Sequence, residues 1–259
     1  MGYLYETHMH TCLASACGKS TGKEHARFYR DIGFTGIIMT DHFFGGNTCI
    51  PKNLPWEERI DLFFRGYEDA LEEGQKIGLD VFFGLEQNFG FDEYLIYGLT
   101  REYMKAHPEM EHWTRRQQLE EVHRAGGAVI QAHPFRMRGY MDRIRVAELF
   151  ADGVEAANAG NDQLDDARCL LYAKEKHLLM TAGSDNHLSP TDRIFGVELD
   201  EKLGSIQDYV RIIREKGKIG LHVPPERWVM PDTEIDERHI AWWLNEKEEM
   251  QRLEPGPWR

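Results

Sequence analysis

Imidazoles and carboxylates recur in this chain at short, regular spacings: His8-Met9-His10, Asp41-His42, Glu86, His133 and Asp185-Asn186-His187. Such side chains are the ordinary ligands of zinc, manganese and iron, and two imidazoles with two carboxylates make a suitable nest for one divalent ion. Residues two apart on an extended segment point to the same side, so His8 and His10 aim into one pocket while Met9 points away. Asp185 and His187 repeat that spacing near the other end of the sequence. Each group alone has an ordinary reading: a helix cap beside a surface imidazole for Asp-His, a satisfied core histidine for His133, a salt-bridge partner for Glu86. Burying all of them without a cation would be costly, and their conjunction favours metal binding.

The segments that position these groups are short apolar runs, and nearly every run ends in one of them. Leu4–His10, Gly36–Thr40, Val81–Leu85, Tyr94–Tyr97, Ala128–Ala132, Val154–Ala157 and Leu178–Ala182 read as strands. Helical patterns cover Lys23–Ile32, Trp56–Ile77, Arg115–Arg124, Ile144–Phe150, Leu164–Lys176, Ser205–Lys216 and Ile235–Arg252. Regular strand–helix alternation predicts an α/β fold with a parallel sheet closed into a barrel of about seven strands, whose strand ends meet on one catalytic face. No linker or repeat divides the chain, so 1–259 reads as one domain. The barrel core spans about 1–223, and 224–259 is a C-terminal helical extension carrying Trp242-Trp243.

Composition limits the partners. Thirty-one basic against 44 acidic residues give a net charge of −13, which disfavours a general nucleic-acid coat or an anionic membrane as the target. No apolar run approaches the roughly 20 residues of a membrane span. Cys12, Cys17, Cys49 and Cys169 form no C-x-x-C pair, and the N-terminus has neither a basic nor an apolar leader region, so reduced thiols in a cytoplasm are expected. Lys19-Ser20-Thr21-Gly22-Lys23 lacks the spacing of a phosphate loop and reads as a loop over the pocket. Phe43, Phe44, Asn47 and Asn158 are candidates for the substrate mouth.

The set His8-Met9-His10-Thr11, Thr40-Asp41-His42, Gly84-Leu85-Glu86, Ala132-His133-Pro134 and Gly183-Ser184-Asp185-Asn186-His187 resembles, in order and separation, the polymerase and histidinol phosphatase (PHP) domain. The resemblance covers the chain to about residue 200. It implies a distorted, TIM-like seven-stranded (β/α) barrel that holds two or three zinc, manganese or iron ions and acts as a phosphoesterase. It also implies that His8, His10, Glu86 and Asp185 hold a first metal, that Glu86 bridges to a second bound by His133, and that His42 and His187 serve a third. Asp41 then orients the ligands. Two family histidines are missing: Ser15-Ala16-Cys17 stands where one completes the third site, and Tyr97-Gly98-Leu99-Thr100 where another completes the second. Cys17, Thr100, His107, His112 or water is left to compensate.

The chemistry so implied is hydrolysis of a small phosphorylated metabolite or nucleotide by metal-activated water. Glu86, Asp185, His187 and His42 are the candidate catalytic groups, with His42 or His187 donating a proton to the leaving group where no metal occupies it. Arg136, Arg138 and Arg193 are the candidate phosphate-binding side chains, since planar guanidinium groups match phosphate in pairs of hydrogen bonds. Hydrolysis of a non-phosphate bond, in the manner of amidohydrolase barrels, and a non-catalytic metal-binding module are the alternatives.

Overall fold

The computed structural model describes residues 2–233 and 235–258. In chain order the elements are β1 (Tyr3–Glu6), α1 (Gly22–Asp31), β2 (Gly36–Met39), α2 (Trp56–Phe63), α3 (Arg65–Ile77), β3 (Asp80–Asn88), β4 (Glu93–Tyr97), α4 (Arg101–Ala106), α5 (Arg115–Arg124), β5 (Ala128–Ala132), β6 (Ile144–Val146), β7 (Gly153–Asn158), α6 (Gln163–Glu175), β8 (Leu179–Gly183), β9 (Gly196–Leu199), α7 (Ile206–Arg214), β10 (Gly220–His222), β11 (Ala241–Leu244) and β12 (Met250–Arg252).

Nine strands form one mixed sheet in the order β10-β9-β1-β2-β3-β4-β5-β7-β8. Its last strand, β8, packs beside β9 and β10 and nearly closes the ring. The fold is therefore α/β and barrel-like, with nine strands rather than the expected seven. Most strands share one direction, but β4 pairs antiparallel with both β3 and β5, and β9 pairs antiparallel with both β1 and β10. The reversal of β4 follows from chain length. Only Phe89–Asp92 separates it from β3, a link too short for a parallel crossover, so the two must form a hairpin.

Several expected helices differ from the structure. Trp56–Ile77 is broken at Phe64 into α2 and α3, and both halves pack aromatic side chains into one cluster around Phe43, Phe63 and Phe83. Ile144–Phe150 is not a helix: Ile144-Arg145-Val146 is a strand followed by a single 3-10 turn. The C-terminal extension is not helical either. Trp242 and Trp243 lie on β11, which pairs in parallel with β6 and antiparallel with β12 in a separate three-stranded sheet. Ala241 and Leu244 at the two ends of β11 are buried, and the polar turn Asn245–Glu249 reverses the chain through Asn245, whose Oδ1 accepts from Lys247 N and Glu249 N. The sheet closes over Val146, Val154, Tyr172 and Trp258. Among the described residues no helix is long and apolar enough to cross a membrane.

Candidate metal centre

The chain leaves β1 at Glu6 and runs on as Thr7–Thr11 against the segment after β8, with Met9 bridged to Asn186. His8 and His10 flank that bridge and turn the same way, as their spacing requires. Their Nε2 atoms stand 3.1 Å apart. Glu86, near the end of β3, brings Oε1 to 3.2 Å from His8 Nε2 and 3.3 Å from His133 Nε2, and Oε2 to 3.5 Å from His10 Nε2. Asp185 Oδ1 lies 3.2 Å from His10 Nε2 and 3.5 Å from His8 Nε2. His42 and His187 both stack against the His10 ring, with centroids 4.2 and 4.4 Å from it and 6.1 Å from each other. All seven residues expected as ligands thus meet at one mouth of the barrel.

Four overlapping groups have ligand atoms close enough to share an ion: His8-His10-Asp185, His8-Glu86-His133, His10-His42-His187 and His42-Glu86-Glu93. Nitrogen and oxygen ligands about 2.1 Å from a tetrahedral ion lie about 3.4 Å from one another, and the separations here match. A second observation supports the fit. His42 Nδ1 and Glu86 Oε2 face each other at 2.7 Å, yet neither is aligned as a hydrogen bond and neither has another partner. Buried polar atoms left this way are rare, and a cation between donors of this kind satisfies them.

Glu93 was not anticipated. Its carboxylate lies 3.5 Å from His133 Nε2 and 4.0 Å from His42 Nδ1. The family resemblance points to the end of β4, at Tyr97–Thr100, for the second metal position, but the hairpin places the start of that strand at the mouth. The signal was the four-residue link after Asn88. Thr100, at the far end of β4, caps α4 by accepting from Tyr103 N. His107 pairs with Glu109 and stacks on Tyr103, and His112 ends a 3-10 turn beyond it; neither belongs to the metal-ready groups.

A second set of residues fixes the first. Glu155 on β7 is fully buried and sets Oε1 3.0 Å from His8 Nδ1, turning Nε2 into the cleft. The same carboxylate accepts from His133 N and Asn158 Nδ2. Gly183 makes this possible, because a Cβ there would stand 2.6 Å from His8 Cβ and 2.7 Å from Glu155 Oε1. Asp41 accepts from Thr11 and Ser15, and Ser15 Oγ lies 3.3 Å from His10 Nδ1, so Asp41 acts on that ring through Ser15. Of the five described non-glycine residues with left-handed backbone, two belong to this site, His133 at φ 31° and Asp185 at φ 53°, a strain of about 1–3 kcal/mol each.

The electrostatics are those of buried carboxylates set among imidazoles and one guanidinium. Burial alone would raise the carboxyl of Glu86, but His8 and His42 hold it well below the usual range. Burial likewise opposes the charge on Asp185, and His8 and Arg136 overcome it. Desolvation opposes a proton on His8, yet Glu155, Asp185 and Glu86 drive its pKa well above the ordinary histidine value. His10, desolvated and flanked by His42 and His187, goes well below it. Two imidazole nitrogens 3.1 Å apart cannot both carry a proton, so the two rings shift in opposite directions.

The three arginines have different surroundings. Arg136 donates from Nη2 to Asp185 Oδ2 and Asn158 Oδ1 and from Nε to Asn161 Oδ1, each at 2.7 Å, and it also lines the cleft. Arg138 is turned to the Gly160 and Met137 carbonyls. Arg193 is exposed and lines a neighbouring cleft of about 260 Å³ that shares Asp185 and His187. Phe43 and Phe44 are buried in the aromatic core and do not form the mouth. Cys17, Gly45, Gly46, Asn47, Asn88 and Tyr140 wall the main cleft of about 510 Å³.

No protein-family model matches the chain, and no curated protein matches it in sequence. Solved structures do match in fold. A predicted metal-dependent phosphoesterase from Bifidobacterium adolescentis aligns over 83% of this chain and 96% of its own, at 17% identity and a TM-score of 0.53. A two-domain protein from Bacteroides vulgatus that contains a predicted PHP-like metal-dependent phosphoesterase aligns over 85% of this chain at 15% identity and a TM-score of 0.57; this chain covers 64% of its length. An amidohydrolase from Chromobacterium violaceum, with bound sulfate and no metal, aligns over 81% of this chain and 96% of its own, at 14% identity and a TM-score of 0.50. The chain has the architecture of these proteins, and the buried imidazoles and carboxylates at its mouth form groups able to hold metal.

Proposed function

We propose that the protein is a metal-dependent phosphoesterase of the PHP type, acting on a small phosphorylated metabolite or nucleotide. The observation that carries the proposal is the convergence of His8, His10, His42, Glu86, Glu93, His133, Asp185 and His187 on one cleft. His8, His10, Asp185 and Glu86 would hold one ion, and Glu86, His133 and Glu93 a second. Bound divalent ions supply positive charge to phosphoryl oxygens and lower the pKa of an attacking water.

The chain's own groups set the geometry for that chemistry. Glu86 has one carboxylate oxygen toward His8 and His133 and the other toward His42 and His10, the arrangement of a bridging ligand. Glu155 fixes the His8 ring, and Arg136 fixes Asp185. Arg136 is the one lysine or arginine among the cleft-lining side chains, so an anionic substrate depends on the ions to reverse the local sign. Its Nη1 carries no hydrogen bond among the described residues and is the group available to a phosphoryl oxygen. Asn47 and Asn88 add neutral donors on the opposite wall. The metal-dependent phosphoesterase descriptions of two neighbours, and the tetrahedral anion bound by the third, accord with this reading. The scarcity of free cations at the mouth, together with the amidohydrolase neighbour, favours hydrolysis of a non-phosphate bond as the second reading.

The test is metal content of the purified protein, followed by turnover of an aryl phosphate with added manganese or zinc. Metal-dependent release that Asp185→Ala abolishes supports the proposal. A metal-loaded protein inert to a panel of phosphate esters but active on amides or carboxylic esters overturns it in favour of the second reading.

A further inference from the structure

Beyond β10, the 3-10 turn Pro225–Trp228 sets Arg227 against the outer end of the network that holds Arg136. Arg227 donates from Nε and Nη2 to Asp166 Oδ2 at 2.8 and 2.6 Å, and from Nη2 to the Asn161 carbonyl at 2.7 Å. Its guanidinium also lies over the Phe195 ring, 5.3 Å from the centroid. Asp166, in the first turn of α6, is fully buried. Its other oxygen, Oδ1, accepts from Asn158 N at 3.2 Å and from Asn161 Nδ2 at 2.8 Å.

An ionised carboxylate only accepts hydrogen bonds, so Asp166 decides how the Asn161 amide is turned. It takes Nδ2, which leaves Oδ1 for Arg136 Nε. Asn158 is set from two sides: Glu155 accepts its Nδ2, which leaves Oδ1 for Arg136 Nη2, and Asp166 holds its backbone N–H. The two amides thus present oxygens to one guanidinium, whose Nη2 also reaches Asp185. Burial works against the charge this arrangement needs, pushing the Asp166 carboxyl up to about 7. Arg227 opposes that shift and is the one ion-pair partner of Asp166 among the described residues.

We propose that Arg227 is a positioning residue for this centre: from outside the cleft it holds Asp166, Asp166 holds the Asn158 and Asn161 amides, and these aim Arg136 at Asp185 and at an incoming phosphoryl oxygen. The inference rests on the reading of Arg136 as the phosphoryl-binding cation, and it brings the segment after β10 into the working part of the molecule. Arg227 does not line the cleft itself. Its route to Asp185 is nonetheless continuous, with no hydrogen bond along it longer than 3.2 Å. Buried networks of this kind act as a unit, so a change at one end is felt at the other.

The full chain loaded with manganese is titrated with inorganic phosphate in a calorimeter, as the parent, Arg227→Met, Arg136→Met and the double variant, with urea unfolding recorded for each. Residues that act through one network are coupled rather than additive. Arg227→Met is therefore expected to weaken phosphate about tenfold where Arg136 is intact, and hardly at all once Arg136 is replaced. Arg227→Lys keeps a cation beside Asp166 and takes the place of the methionine variant if that one does not fold. Its ammonium cannot serve Asp166 and the Asn161 carbonyl with one planar fork, so the same pattern is expected with a smaller loss. A role confined to stability would lower the unfolding midpoint and leave phosphate affinity unchanged, and that result overturns the proposal while leaving the phosphoesterase reading standing. Equal losses with and without Arg136 overturn it in the same way. A parent that holds manganese but binds no phosphate overturns the phosphoesterase reading, and this proposal with it.

Discussion

Glu155 Oε1 and His8 Nδ1 lie 3.0 Å apart with no exposed surface on either side chain, and this contact decides which nitrogen of His8 faces the cleft. A carboxylate behind a ligating imidazole fixes its orientation and raises its basicity, and removing such a partner costs about 10–100-fold in metal affinity. Glu155→Gln is therefore expected to weaken binding by that factor in competition with a chromophoric chelator. Unchanged affinity would mean that His8 needs no support from behind.

Glu93 reaches the centre from the reversed strand and has no substitute nearby on β4. Glu93→Ala is expected to lower the number of tightly held ions per chain while leaving the His8-His10-Asp185 group able to bind. Elemental analysis after dialysis distinguishes this from a general collapse, in which all metal would be lost and the circular dichroism altered.

Arg136 offsets Asp185 in the buried interior. Breaking such a pair from one side costs about 3–5 kcal/mol, because the remaining charge stays desolvated. Arg136→Ala is expected to lower unfolding free energy by about that much in chelator, with partial recovery on adding metal. Arg136→Lys should recover little, since an ammonium cannot reach Asp185, Asn158 and Asn161 with one planar fork. Equal stability of parent and alanine variant in chelator would refute the pairing argument.

His25 titrates with a definite sign. Burial lowers its pKa from 6.5 to about 4, and its ring contacts His10 O and Ser189 Oγ. The fold thus keeps it neutral while the unfolded chain takes up a proton below pH 6.5. Stability is lost as pH falls from 6.5 toward 4 and levels off below, at about 1.4 kcal/mol per pH unit over that window. Denaturant titrations at pH 7 and 5 should show the parent losing about 2 kcal/mol more than His25→Gln. Parallel losses in the two proteins would contradict it.

Trp258 is buried edge-to-face on Tyr172, 5.2 Å between centroids. Trp258→Ala is expected to cost about 3 kcal/mol in urea unfolding, as large-to-small changes in a packed core do. A cost near zero would mean that the C-terminal segment merely rests on α6.

The convergence of the candidate ligands was legible because its signal is local: a two-residue spacing at the end of an apolar run survives folding unchanged. His8-His10 and Asp185-His187 needed no knowledge of topology. Glu93 needed one topological fact, that Asn88 and Glu93 are too close in sequence to start a parallel crossover. Glu155 was hidden by its neighbours, since a glutamate between Val154 and Ala156 reads as one more strand position until β7 is seen to turn it inward behind His8. The C-terminal segment misled for a different reason. The charged run Asn245-Glu246-Lys247-Glu248-Glu249 has the composition of a solvated helix face, but here it is a hairpin turn with Glu248 at φ 60°. Its strand character comes from pairing with Ile144–Val146, about a hundred residues earlier, which no local pattern encodes.

The reversal of β4 has a consequence for how this scaffold can be diversified. A hairpin bend, Phe89–Asp92, opens at the rim of the cleft, with Gly90 on the cleft wall in a left-handed conformation. Bends of this kind tolerate lengthening, because chain closure grows only slowly more expensive with added residues. Grafted loops there would reshape the entrance without altering a crossover helix or the ring itself, making the bend a natural point for retuning substrate choice.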